Sequence, residues 1–138
     1  MSVVSPTLAR RHWFRNLAPK TLAAAALLSA AVVAQAQTFT NTQLAGTYTI
    51  TAGVMPNGGK YDGKVRIAPD ASGGVSVRWD DGSTALGMIE GNRLFVGMVF
   101  ERRSVVMAFT FSPDGRSATG RWIMRGEAGV GSEDWRKD

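Results

Sequence analysis

The sequence predicts an all-β fold, a small eight-stranded antiparallel meander barrel behind an N-terminal signal peptide. Three observations carry this prediction. After Ala36 no stretch keeps the 3.6-residue apolar period of a helix for more than about a turn. Short runs that alternate apolar and polar residues recur instead, as at Val75, Val77 and Trp79 or at Val105, Met107, Phe109 and Phe111. Between the runs lie Asn57-Gly58, Asp81-Gly82, Gly91-Asn92 and Asp114-Gly115, pairs that reach the positive φ angles of tight hairpins at little steric cost.

The chain opens with a polar, basic stretch carrying Arg10, Arg11, Arg15 and Lys20, followed by an Ala- and Leu-rich run that closes on Ala34-Gln35-Ala36. A basic start, a short apolar run and small residues at the last and third-last positions make residues 1–36 a signal peptide, cleaved between Ala36 and Gln37. The run is shorter than the roughly 20 apolar residues a bilayer requires, so no membrane span is expected after cleavage. Arg10-Arg11-His12-Trp13-Phe14 resembles a twin-arginine signal; the general secretory route is the favoured alternative. Either route implies a periplasmic or extracellular protein, with residues 37–138 as its single domain.

Eight strands follow in order. The first, 46–52, turns Tyr48 and Ile50 inward and stops before Pro56-Asn57-Gly58-Gly59; the second, 61–68, does the same with Val65 and Ile67 and stops at Pro69-Asp70. The third, 74–79, carries Val75, Val77 and Trp79 into Asp80-Asp81-Gly82-Ser83, and the fourth, 84–90, runs to Gly91-Asn92. Strand five, 93–100, sets Leu94, Val96 and Met98 inward; strand six, 105–111, ends at Pro113-Asp114-Gly115; strand seven, 118–124, contributes Trp122 and Met124; strand eight is 131–135. Gly63, Gly87, Gly97 and Gly120 lie inside strands, where they mark coiling or close backbone approach. Arg66, Arg78, Arg121 and Arg125 fall on the outward alternates, which a membrane barrel's apolar band would exclude.

The charge of the whole chain is +5, but cleavage removes four of its sixteen basic residues and leaves twelve against eleven acidic ones, a net +1. A nearly balanced domain has no field to gather phosphates, so a nucleic-acid partner is not expected. The chain has no Cys and its one His, His12, leaves with the signal. Disulfides, thiolate zinc sites, and Ser-His or Cys-His catalysis are therefore excluded, and no cofactor is expected. The adjacent acids Asp80-Asp81 and Glu133-Asp134 do not make an acid/base pair: neighbours in a strand face opposite sides and those in a turn are solvated. No alternating oxygen-ligand loop surrounds Asp80, Asp81 or Asp114 for calcium. Glu133 is expected in an ordinary surface ion pair with Arg121 or Arg125.

The chain thus reads as a non-enzymatic binding or interaction module. Trp79, Trp122 and Trp135 are candidate ligand or partner contacts, since flat rings at a barrel mouth stack on apolar or ring-shaped ligands, although the same rings also serve to close a core. Arg102 and Arg103, in Glu101-Arg102-Arg103 between two strands, are candidate protein contacts. Two alternatives stay open: a small periplasmic inhibitor or envelope-stress protein that inserts a loop (101–103 or 126–131) into an enzyme's cleft, and a binder of small hydrophobic molecules. Whether so small a barrel keeps a cavity or is packed full is open as well.

The ordered set Gly46-Thr47-Tyr48, Pro56-Asn57-Gly58-Gly59-Lys60-Tyr61-Asp62-Gly63, Val77-Arg78-Trp79, Gly91-Asn92-Arg93-Leu94, Gly120-Arg121-Trp122 and Gly131-Ser132-Glu133-Asp134-Trp135 resembles a group of small exported bacterial proteins labelled fibronectin-binding-like. The resemblance spans nearly all of residues 37–138 and implies adhesion to host matrix, through glycines, turns and aromatics rather than through any family binding residue. The meander and a terminal Gly-x-Trp strand also resemble calycin-like barrels of the avidin and lipocalin type, and this resemblance implies the same eight-stranded closed barrel. The dense Asn, Ser, Tyr and Trp set that holds biotin is missing.

Overall fold

A computed structural model describes residues 37–138, so the expected signal peptide, its cleavage boundary and the Arg10-Arg11 pair fall outside, or at the limit of, the described residues. One helical turn, α1 (Asn41–Leu44), precedes eight strands: β1 (Gly46–Val54), β2 (Lys60–Pro69), β3 (Val75–Trp79), β4 (Thr84–Glu90), β5 (Arg93–Phe100), β6 (Arg103–Phe111), β7 (Ser117–Met124) and β8 (Gly131–Lys137). Each strand pairs antiparallel with its sequence neighbours, and β8 pairs with β1 to close the barrel. Closure satisfies both edges of the sheet, which an open meander would expose. The architecture is the calycin-like meander barrel.

Alternation puts the expected residues inside. Tyr48, Ile50, Val65, Ile67, Val75, Val77, Leu94, Val96, Val105, Phe109 and Phe111 are buried, and Met98 packs half-buried against them. Arg66 and Arg78 stand opposite each other on the outside of β2 and β3. Of the four interior glycines, Gly120 takes the Phe109 ring against its bare backbone, whereas a side chain at Gly97 would meet nothing. The expectation of a close approach at Gly97 is therefore corrected: it leaves a shallow gap on the outer surface. Beside that gap Leu86, Val106 and Ile123, on β4, β6 and β7, form an exposed apolar row in register across β5.

One end of the barrel is shut. Thr40 caps α1 through a reciprocal pair of bonds with Gln43, which satisfies donors that a one-turn helix would leave open. The segment is tied down by Phe39 N–H donating to Gly91 O (2.9 Å) and by Asn41 Nδ2 donating to Gly73 O and Gly74 O. Leu44 and Phe39 thereby plug the opening, with Phe39 edge-on to Phe111. Below them Tyr48 donates to Leu44 O at 2.7 Å, and burial pushes its phenol up to about 12. Sequence periodicity gave no sign of this turn, because four residues are too few to show one.

Candidate functional site

The opposite end is open. The four hairpin loops there, at 55–59, 80–83, 101–102 and 125–130, ring a cavity of about 320 Å³ that descends between the strands. Its wall is aromatic and thioether: Tyr61, Trp79, Phe100 and Trp122 share it with Met55, Met98, Met107 and Met124. Four carboxylates also line it, Asp62, Asp80 and Asp81 exposed near the rim and Glu133 buried below them.

Glu133 overturns the expectation of a surface ion pair. It is 2 % exposed, and its cross-strand partner is Gly120, while Arg121 faces Ser132 on the other side of the sheet. The reason is the two-residue period: Gly131, Glu133 and Trp135 share the inward face, and Asp134 turns out. Three donors converge on the carboxylate. Tyr61 O–H donates to Oε1 at 2.6 Å, Trp135 Nε1–H to Oε2 at 2.6 Å, and Trp79 Nε1–H to Oε2 at 3.4 Å. Trp122 Nε1–H extends the chain by donating to the Tyr61 hydroxyl at 3.2 Å.

Two glycines make room for this network. β1 carries a bulge between Ile50 and Gly53 on both of its ladders, which brings Gly53 inward opposite Tyr61 on β2 and Glu133 on β8. The Tyr61 ring crosses β1 over that bare Cα: a Cβ at Gly53 would lie 2.8 Å from two ring carbons and 2.6 Å from Tyr61 O. Gly131 does the same for Trp122, whose indole lies where a side chain at 131 would stand. Bulges commonly re-aim a side chain in this way, and here the bulge allows a hydrogen bond between strands that are not neighbours.

Burial of a carboxylate costs several kcal/mol, and each charge-assisted bond returns about 1.5 to 3 kcal/mol. The two are of similar size. Burial prevails: it pushes the Glu133 carboxyl above its ordinary range against the opposing pull of Tyr61, Trp135 and Trp79, with nearby Asp81 adding to the rise. The same burial, and the Glu133 carboxylate beside it, push the Tyr61 phenol well above its usual value.

The candidate contact residues separate by position. Trp79 and Trp122 line the cavity; Trp135 lies deeper, 1 % exposed and stacked on Phe109 at 3.8 Å between centroids. Arg102 and Arg103 sit at the rim, outside the lining. Arg102 is exposed with φ of 65°, and Arg103 pairs with Glu127 and with Glu101, tying the 101–102 loop to the 125–130 loop. Sequence reasoning missed Tyr61 and Glu133 as site residues. The signal for Glu133 was its place two residues before an inward Trp; nothing in the sequence marked the bulge that brings Tyr61 to it.

The fold and site together define a class: a calycin-like barrel plugged at one end and hollow at the other, with a hydrogen-bonded carboxylate in the wall. No family model and no curated protein matches the chain.

Proposed function

We propose that the protein is an exported, non-enzymatic binding module that takes a small, largely apolar molecule into the open end of its barrel. The observation that carries this reading is the aromatic and methionine-lined cavity of about 320 Å³, at the small end of the roughly 300 to 1,000 Å³ of known ligand pockets. Methionine walls adapt to irregular ligands, and tryptophans supply flat contact area. The basic and apolar pattern of residues 1–36 supports export. The engagement of Glu133 with three ring donors supports a structural role for it, fixing Tyr61, Trp79 and Trp135 in the wall.

Titration of the purified protein with a neutral apolar fluorophore such as N-phenyl-1-naphthylamine tests this. Saturable 1:1 binding that quenches tryptophan emission and weakens about tenfold or more in Trp122→Ala is expected. Absence of saturation overturns the proposal.

A second reading, contact with a protein such as fibronectin, draws on the family resemblance and on the exposed row Leu86, Val106 and Ile123, since contiguous apolar surface is often an interaction site. Immobilised fibronectin that captures the wild type but not Val106→Lys would favour it.

A further inference from the structure

We propose that the cavity selects an organic cation, an ammonium head carried on an apolar body. The inference rests on the apolar-cavity reading above and adds the chemistry of the head group.

Donor and acceptor accounting carries it. The lining contains four side chains able to donate a hydrogen bond, and each already donates to another lining residue. Tyr61 and Trp79 donate to Glu133, Trp122 donates to Tyr61, and Ser83 Oγ donates to Asp81 Oδ1 at 2.5 Å. No Lys or Arg lines the space. An anionic or acceptor head would therefore find no free side-chain donor, and would be desolvated beside carboxylates. Acceptors, by contrast, are in surplus. A carboxylate has about four lone-pair sites. Asp62 makes no side-chain hydrogen bond among the described residues, and Asp80 and Asp81 are engaged only in part, by the backbone N–H of Lys64 and by Ser83. An ammonium brings up to three N–H donors and no acceptor, the complement of this lining.

Charge and ring chemistry agree. Asp62, Asp80 and Asp81 border one concave space with low-dielectric walls, which focuses a negative potential into it. Of the two rim arginines, Arg103 is already paired with Glu127 and Glu101, and Arg102 lies outside the lining. Tyr61, Trp79 and Trp122 offer π-systems that attract cations and not anions. A bare metal ion fits poorly: among the described residues no three acidic groups come together as a metal-binding cluster, and the aromatic and methionine wall suits an organic body.

The test uses three probes with the same eight-carbon chain, octylammonium, 1-octanol and octanoate, titrated calorimetrically into the purified protein at neutral pH. The expected result is octylammonium binding about tenfold or more tighter than either of the others. Its advantage over octanol should shrink as salt is raised and fall about 2- to 5-fold in Asp62→Asn, a substitution at an exposed position. Octanol equal to or tighter than octylammonium, or octanoate the tightest, overturns the cation assignment and leaves the apolar cavity standing. No binding of any of the three overturns both.

Discussion

Glu133 shows how a single charged residue can belong to the core of a barrel. Its substitution separates two roles, acceptor and charge. Glu133→Ala leaves the Trp135 and Trp79 N–H groups and the Tyr61 hydroxyl without their acceptor and is expected to cost about 2 to 4 kcal/mol in urea denaturation. Glu133→Gln keeps an acceptor oxygen and drops the charge. The sign of the pH effect follows from the raised pKa: the folded protein holds the Glu133 proton more tightly than the unfolded chain. The stabilisation from that proton is complete below the ordinary value of 4.5 and is lost as pH rises through the higher folded value. Wild type should therefore lose stability relative to Glu133→Gln as pH rises through that window. The exposed carboxyls Asp70, Asp114 and Asp138, held low by local hydrogen bonds, titrate in both proteins and cancel. A wild-type-minus-variant difference that stays flat from pH 4 to 8 would contradict the burial account.

Among the elements, β1 does the most to create the site, because its bulge puts Gly53 under the Tyr61 ring. The same exchange at two strand glycines is expected to act in opposite directions. Gly53→Ala drives a methyl into Tyr61 and its carbonyl, and should cost about 1 to 3 kcal/mol and weaken probe binding. Gly97→Ala meets open space at a φ outside the left-handed region, so it should be neutral or stabilise by about 0.4 to 1 kcal/mol through a stiffer unfolded chain. Melting temperatures of the two variants check the pair; equal losses would show that the fold demands glycine at both for another reason. The element scale is also where the sequence was most readable. β4 and β5 begin and end as predicted, because the turns at 80–83, 91–92 and 101–102 mark their boundaries. β8 runs two residues beyond the predicted end, to Lys137, because its ladder with β1 continues past the last inward aromatic, Trp135. The bulge was invisible: it depends on how β1 meets two partners at once, and residues 50–53 alone carry no such information.

Over the whole molecule, residues that hold the barrel together and residues that hollow it lie at opposite ends. Phe39, Leu44, Tyr48 and Phe111 fill the end under α1, while the four methionines and four aromatics of the open end border unfilled space. The apolar residues the sequence turns inward are inward, but it missed Glu133 and Tyr61 and gave no sign of this asymmetry, since bulky residues such as Trp122 and Met107 look like filling in a sequence. Met98 tests the division. It is half-buried in the cavity lining near the mouth, so Met98→Trp adds apolar volume where space exists without disturbing the plugged end. Cavity filling of this kind typically adds about 0.5 to 2 kcal/mol. Met98→Trp is expected to keep or raise the melting temperature while reducing apolar-probe binding about tenfold or more, the signature of a space kept open for a ligand at some cost in stability. If the variant loses stability and binding together, the open end is part of the packed core and the functional reading of the cavity fails.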